Sequence, residues 1–141
     1  MVIFSWYNHF MTDELKKIIE SSSFALHEGR YIYAKVKTAP AIDDHFMVSK
    51  DQDEVTVVTK EENLGKLDLI EKNKDFYVAF ELKISLPFYA VGFLAAVTSA
   101  MGDRGMNNLV ISTYSKDYLL VREEYLEKAT QALLDLGFKK S

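Results

Sequence analysis

The sequence contains no cysteine among its 141 residues, which excludes disulfides, thiolate metal sites and cysteine nucleophiles and favours a reducing, cytoplasmic setting. It also has only two prolines and six glycines, while 48% of its residues are hydrophobic and 27% are charged. This is the balance of a globular protein and not of a disordered one. The chain length fits one domain, or two closely packed halves.

Long apolar runs are absent as well. The longest one, residues 86–97, contains Pro87 and Gly92 and is too short to span a membrane. The first residues have neither a basic leader nor a long apolar core, so the sequence predicts no export signal. We therefore expect a soluble, cytoplasmic protein.

Charge and histidine spacing argue against two further classes of function. A net charge of −4 with scattered lysines disfavours nucleic acid as a partner, because phosphate binding needs clustered Lys and Arg. His9, His27 and His45 are far apart, so no metal site is predicted. Asp43, Asp44 and His45 form the best local group for acid-base chemistry, yet charges in such a loop are usually just solvated. We predict no enzyme, no cofactor and no metal.

The periodicity of apolar residues predicts an α+β protein. A helix capped by Thr12 starts the series and weakens within the serines at 21–23. The other predicted elements are strands at 31–37, 54–59, 67–71 and 76–84, a helical turn at 60–64, helices at 90–104 and 123–136, and a hairpin of 108–113 with 116–121. Residues 38–52 are expected to form a loop or irregular short elements.

Read in order, residues 76–138 give strand, helix, strand, strand and helix, which fits the ferredoxin-like βαββαβ arrangement once one further strand completes the sheet. The N-terminal half supplies similar strands at 31–37 and 54–59. The helix expected between them is replaced by the loop at 38–52. The N-terminal half is therefore interpreted as a degenerate copy.

Three sequence motifs make the C-terminal half recognisable. The first, S-x-P-F-x-x-V-G-x-L-A-x-V-T, comprises Ser85, Pro87, Phe88, Val91, Gly92, Leu94, Ala95, Val97 and Thr98. The second, I-S-T-Y-x-x-D-Y-x-L-V, covers residues 111–121, and the third is Leu126, Lys128 and Ala129 before Gly137 and Phe138. The chain resembles the ACT domain, and is similar to small stand-alone tandem ACT proteins related to the regulatory domains of aspartate kinases.

The resemblance implies a degenerate ACT-like half at residues 1–72 and an ACT domain at residues 73–141. It further implies a regulatory or sensor protein that binds a small-molecule effector, such as an amino acid, and that can form a homodimer. The implied ligand-binding residues are Ser85, Leu86, Pro87, Phe88, Val91, Gly92, Ser112, Thr113 and Tyr114.

Local physical chemistry favours a ligand at the first motif. A strand ending at Ile84 and a helix beginning near Pro87 leave a loop whose backbone N–H groups can receive a carboxylate, with the positive end of the helix dipole behind them. The hydroxyl groups of Ser112, Thr113 and Tyr114 add donors and acceptors. Gly92 can equally serve only close packing of the helix against the sheet.

Two other functions stay open from the sequence. A structural or interaction module can keep the fold without a ligand and act through a sheet edge or a helix face, by forming oligomers or by regulating a partner enzyme. An enzyme would need a site such as the cluster at residues 43–45. The identity of the effector, the target and the oligomeric state do not follow from one sequence.

Overall fold

The computed structural model describes residues 11–86 and 90–141. It contains two compact units: Met1–His27 together with Ala79–Ser141, and Glu28–Val78. We call them the split unit and the inserted unit. The predicted boundary between residues 72 and 73 concerns the extent of the two ACT copies and stays a prediction.

Three α-helices and nine strands make up the described elements. The helices are α1 (Asp13–Glu20), α2 (Phe93–Asp103) and α3 (Leu126–Leu136), and short 3-10 helices occupy Glu61–Lys66 and Glu123–Tyr125. The strands are β1 (Ser23–Leu26), β2 (Tyr31–Val36), β3 (Met47–Lys50), β4 (Val55–Lys60), β5 (Leu69–Lys72), β6 (Tyr77–Lys83), β7 (Asn108–Ser112), β8 (Asp117–Arg122) and β9 (Lys139–Lys140).

The split unit contains the ferredoxin-like arrangement predicted from the sequence, in the order β6, α2, β7, β8, α3, β9. Its strands lie side by side as β7-β8-β6-β1-β9. Strand β1 lies between β6 and β9 and pairs antiparallel with β6, with Ser23 opposite Lys83. The α+β class and the βαββαβ logic are therefore confirmed, with β1 as an additional strand.

Helix α1 begins and ends where the sequence indicated. Thr12 caps it by accepting a hydrogen bond from the backbone N–H of Leu15 at 3.1 Å, as expected. The helix ends at Glu20, because the hydroxyl groups of Ser21 and Ser22 both donate to the carbonyl of Ile18, at 3.0 and 2.6 Å. The end of the helix thus falls at the serines where the sequence predicted it to weaken, and the residues that follow form β1, which was not predicted.

Helix α2 begins later than the sequence predicted. The helix starts at Phe93 and not near Pro87, since Gly92 adopts a left-handed conformation with φ +83° that a helix cannot continue through. Its buried side chains are Phe93, Ala96, Val97, Ala100 and Met101. At the other end, Gly105 has φ +76° and Met106 donates to the Met101 carbonyl at 3.0 Å, which confirms the predicted C-cap.

Helix α3 covers the split unit through a narrow apolar stripe. Ala129, Ala132 and Leu133 are buried on one side, and Gly137 ends the helix in the left-handed conformation, as predicted. The ring of Phe138, which follows, meets Phe93 of α2 edge-on at 5.9 Å between centroids. The two helices thus share one core.

The inserted unit is built around β2. Strand β2 pairs antiparallel with β4 along its whole length, from Tyr31 opposite Lys60 to Val36 opposite Val55, and β5 pairs on its other side. Strand β3 pairs with β4. Residues 28–78 are all described and contain no α-helix, in agreement with the predicted loss of the first-copy helix.

Residues 38–52, expected to form a loop or irregular short elements, contain a regular strand. Met47–Lys50 forms β3, whose four residues are half-buried or exposed. Such a strand lacks the alternation of apolar and polar residues on which recognition depends. None of the helices within residues 11–86 and 90–141 is long and apolar enough to cross a membrane.

Candidate ligand-binding site

A cavity of about 550 Å³ lies where the end of β6 meets the turn between β7 and β8. Both elements belong to the split unit. The cavity is lined by Glu81, Leu82, Lys83, Ile84, Thr113, Tyr114, Ser115, Lys116 and Asp117. We call it the turn cavity. Its volume falls within the usual range for a small-molecule site.

Glu81 places a buried carboxylate in the lining of the turn cavity. Its side chain is 11% exposed, and its Oε1 is 2.9 Å from Nε2 of His27. Its Oε2 is 3.5 Å from Nζ of Lys116, a residue of the turn. The hydrogen bond from His27 holds the pKa of the Glu81 carboxyl below its usual range, with Lys116 acting in the same direction and burial opposing both. Glu81 is therefore a buried anion.

His27 is held in place by a second contact. Its ring meets the buried ring of Tyr118 edge-on, at 5.3 Å between centroids. The ring lies at the end of β1, where its backbone N–H donates to the carbonyl of Ala79 at 2.9 Å. The additional strand β1 thus supplies the partner that keeps Glu81 charged.

A second cavity, of about 320 Å³, lies at the start of α2. It is lined by Ile84, Ala90, Gly92, Phe93, Leu94, Ala95 and Asp117. We call it the helix cavity. It shares Ile84 and Asp117 with the turn cavity. The first motif and the second motif therefore contribute to two cavities with common lining residues.

Four of the sequence-predicted site residues are associated with these cavities. Thr113 and Tyr114 line the turn cavity, and Gly92 lines the helix cavity. The hydroxyl group of Ser112 donates to Oδ1 of Asp117 at 2.5 Å, so that Ser112 orients a residue common to both.

The other predicted residues are arranged differently. The hydroxyl of Ser85 lies 2.8 Å from that of Ser21 and its backbone N–H donates to Ser22 at 3.0 Å, so Ser85 ties the end of β6 to the end of α1. Leu86 is 52% exposed and Val91 is 86% exposed, and neither lines the two cavities. Pro87 and Phe88 lie outside the described residues.

The charged lining residues Glu81, Lys83, Lys116 and Asp117 were not among the predicted site residues. Glu81 carried a usable signal: it is an acid within the strongly apolar run of β6, where a charge needs a partner. The partner itself was not predictable, because the strand β1 that precedes His27 was not among the predicted elements. The pairing depends on β1.

The cluster of Asp43, Asp44 and His45 in the inserted unit is held by local contacts. Nδ1 of His45 lies 2.8 Å from the hydroxyl of buried Thr59, and the carboxylate of Asp44 pairs with Lys66 at 3.0 Å. These contacts attach the loop at residues 38–46 to β4 and the 3-10 helix. Within the described parts of the chain, no three His, Cys, Asp or Glu side chains are grouped as a metal site would require.

Comparisons with known proteins agree with this architecture. Residues 73–135 match the model of the ACT domain. The fold is similar to that of a Vibrio cholerae protein of unknown function, described as a possible transport protein, with a TM-score of 0.73, 23% identity, and coverage of 88% of this chain and 96% of that one. A protein from Agrobacterium tumefaciens gives a TM-score of 0.70 at 22% identity, covering 85% of this chain and 92% of its own.

A third similar structure is a putative C-terminal regulatory domain of aspartate kinase from Porphyromonas gingivalis W83, with a TM-score of 0.55, 16% identity, and coverage of 84% of this chain and 98% of that one. At these identities the likeness concerns the fold. No curated protein matches the sequence at a significant level. The resemblance to the ACT domain that the motifs indicated thus agrees with the family-model match over residues 73–135.

Proposed function

We propose that this protein is a regulatory ligand-binding protein that takes up a small metabolite, of the amino-acid class, in the turn cavity and the adjoining helix cavity. The observation that carries the proposal is that residues of two separate motifs, Thr113 and Tyr114 of one and Gly92 of the other, line two cavities. These cavities have Ile84 and Asp117 in common. The ACT match of residues 73–135 supports a regulatory role over a catalytic one.

The chemistry of the lining favours a zwitterion. The turn cavity combines two carboxylates, Glu81 and Asp117, with two ammonium groups, Lys83 and Lys116. Leu82 and Ile84 supply apolar surface between them. A ligand with one positive group, one negative group and a carbon side chain matches all three features.

The helix cavity offers a second recognition element. Leu94 and Ala95 line it and belong to the first turn of α2, where backbone N–H groups lack partners within the helix and favour an anion. A ligand carboxylate beside this turn would gain from the helix dipole. The sequence analysis suggested the same interaction between a ligand carboxylate and a helix start. In the structure the helix starts directly after Gly92.

Thermal unfolding with each standard amino acid in excess tests the proposal, because a ligand that binds only the native state raises the midpoint by mass action. We expect a selective increase for one or a few amino acids. Ile84 lines both cavities, so Ile84→Trp would fill space in each of them and abolish the increase in the unfolding midpoint. Ile70→Trp is the matched control, since Ile70 is exposed on β5 and lines neither cavity. A ligand effect that survives Ile84→Trp would contradict this location.

A ligand-free interaction module is the second candidate, favoured by the exposure of apolar side chains in the motif segments. Leu86 is 52% exposed, Val91 is 86% exposed and Tyr114 is fully exposed. Exposed apolar residues of this size are typical of interfaces when they form a patch. Light scattering of the protein and of Val91→Ser tests this candidate, which requires an oligomer that the substitution weakens. The homodimer and the cytoplasmic location stay predictions.

A further inference from the structure

The pairing of Glu81 differs at its two carboxylate oxygens. Oε1 lies 2.9 Å from Nε2 of His27, whose ring is held by Tyr118, whereas Oε2 lies 3.5 Å from Nζ of Lys116. Charge-assisted hydrogen bonds are usually about 2.7–2.9 Å long. The first contact is thus close and supported by a neighbouring ring, and the second is long.

Lys116 is also the more accessible of the two partners. Its side chain is 50% exposed, against 32% for His27 and 11% for Glu81. An ion pair with one exposed, freely rotating lysine changes an equilibrium by only about two- to five-fold. The ammonium group of Lys116 can therefore leave Oε2 at low cost.

The carboxylate of Glu81 is buried and cannot move into solvent in the same way, and a buried carboxylate without a positively charged partner is unfavourable. Oε2 therefore needs a positively charged partner, and both Glu81 and Lys116 line the turn cavity. An ammonium group of a ligand in the cavity would be a suitable replacement for that of the lysine. Asp117 is a less suitable partner for it, since its Oδ1 already accepts the hydroxyl of Ser112 at 2.5 Å.

We propose that Glu81 is the specificity-determining residue of the turn cavity, that it recognises an ammonium group of the ligand through Oε2, and that Lys116 is a built-in competitor for this position. The inference rests on the proposed function and adds to it the group that selects the ligand. Binding then exchanges one cation for another at a buried anion. The displaced lysine belongs to the turn between β7 and β8, so occupancy is transmitted to that turn.

The test compares apparent dissociation constants of Lys116→Met, Lys116→Arg and Glu81→Gln with that of the wild type. The probes are the amino acids that raise the unfolding midpoint and their matching 2-hydroxy acids, which carry a hydroxyl in place of the ammonium. We expect Lys116→Met to bind the amino acid about two- to five-fold more tightly, because the competitor is gone. Lys116→Arg keeps a cation and should bind like the wild type.

Glu81→Gln should bind the amino acid at least about ten-fold more weakly and lose the discrimination against the 2-hydroxy acid. Unfolding midpoints without ligand show whether each variant is folded. If Glu81→Gln has a disturbed fold, Lys116→Met and the 2-hydroxy acids on the wild-type protein still decide the question.

The outcomes separate this inference from the proposed function. Unchanged or weaker binding by Lys116→Met, or equal binding of amino acid and 2-hydroxy acid by the wild type, would overturn the role of Glu81 and Lys116 while leaving the ligand site intact. Binding by Lys116→Met with none by the wild type would also overturn the inference, because it would mean that the lysine blocks the site and does not leave Oε2 at low cost. If neither the wild type nor Lys116→Met bound any amino acid, both proposals would be wrong.

Discussion

Two buried polar side chains, one in each compact unit, differ in how closely their partners are held. In the inserted unit, the hydroxyl of Thr59 is fully buried and lies 2.8 Å from Nδ1 of His45 and 3.4 Å from the carbonyl of Asp44. In the split unit, the buried Glu81 has one close partner and one long contact, and it lines a cavity. We call the first arrangement a closed network, because the buried hydroxyl has two partners within the unit. The second is open, because one oxygen of Glu81 has only a long contact and faces a cavity-lining lysine.

This difference in pairing bears on where a small protein can bind a ligand. Networks that satisfy every buried polar atom stabilise and leave nothing for a ligand. An anion with a replaceable partner retains binding capacity at some cost in stability. This criterion supports the proposed site in the split unit, although both units contain buried polar side chains.

The largest expected effect comes from a substitution in the core of the split unit, at a distance from its two cavities. Phe80 is fully buried and its ring meets Phe24 edge-on at 5.9 Å between centroids. Phe80→Ala should lower the free energy of unfolding by about 3–5 kcal/mol, measured by urea denaturation, because it leaves a void in a packed core. Leu134→Ala, at a residue that is 40% exposed, is the control and should cost less than about 1 kcal/mol. Similar losses for both variants would mean that the core is loose.

Next in size is the loss of the buried anion. Glu81→Gln should lower the free energy of unfolding at pH 7 by about 1.5–3 kcal/mol, because it removes charge-assisted hydrogen bonds. The pKa of Glu81 is lowered in the folded protein, so its contribution is present above the pKa of the unfolded chain and is lost as the pH falls through the folded pKa. Urea denaturation at pH 7 and at pH 3 should therefore show a difference between wild type and variant that shrinks in acid. A difference independent of pH would contradict the pairing.

A smaller effect is expected from the closed network of the inserted unit. Thr59→Val keeps the shape of the side chain and removes the hydroxyl that pairs with His45, at a cost of about 1–2 kcal/mol. Ser22→Ala is the matched change in the split unit, since buried Ser22 donates to Ile18 and accepts from the backbone N–H of Ser85. Neither should alter amino-acid binding by more than about two-fold. Loss of binding in Thr59→Val would move the site to the inserted unit.

The smallest effect at neutral pH concerns Tyr33 of the inserted unit. Burial raises the pKa of its hydroxyl to about 12, with the neighbouring Tyr77 contributing. The stabilisation is complete below the unfolded pKa of about 10 and is lost as the pH rises towards 12. Tyr33→Phe should remove one late-titrating tyrosine from an absorbance titration while leaving stability at pH 7 within about 1 kcal/mol. A variant that titrates like the wild type would show that Tyr33 is not the shifted group.

Much of the fold was predictable because its signals are local. The apolar stripe of α3, the cap at Gly105 and the hairpin of β7 and β8 all lie within short segments whose residue types decide the conformation. Strand β1 and strand β3 were missed because each has four residues and depends on pairing with a distant strand. Propensity alone does not report such pairing.

Part of the lining of the candidate site was predictable from the motifs, whereas its charged residues were not. The motifs pointed to Gly92, Thr113 and Tyr114, all of which line a cavity. Ser85 belongs to the same motif, yet its hydroxyl and N–H contact serines at the end of α1. The partners of Glu81 come from β1 and from the β7–β8 turn, and a linear pattern does not reveal which side chains converge from elements so far apart in the sequence.

The position of β1 has a consequence for how the chain reaches its native state. Ser23 pairs with Lys83, 60 positions later, so the strand can join its sheet only after a long segment has been closed into a loop. In the inserted unit, Tyr31 pairs with Tyr77, which brings the two ends of that segment together. We expect early formation of the inserted unit to shorten the effective loop and to lower the entropy cost of docking β1 by about 1 kcal/mol. The inserted unit would then speed the folding of the split unit, in which the proposed ligand site lies.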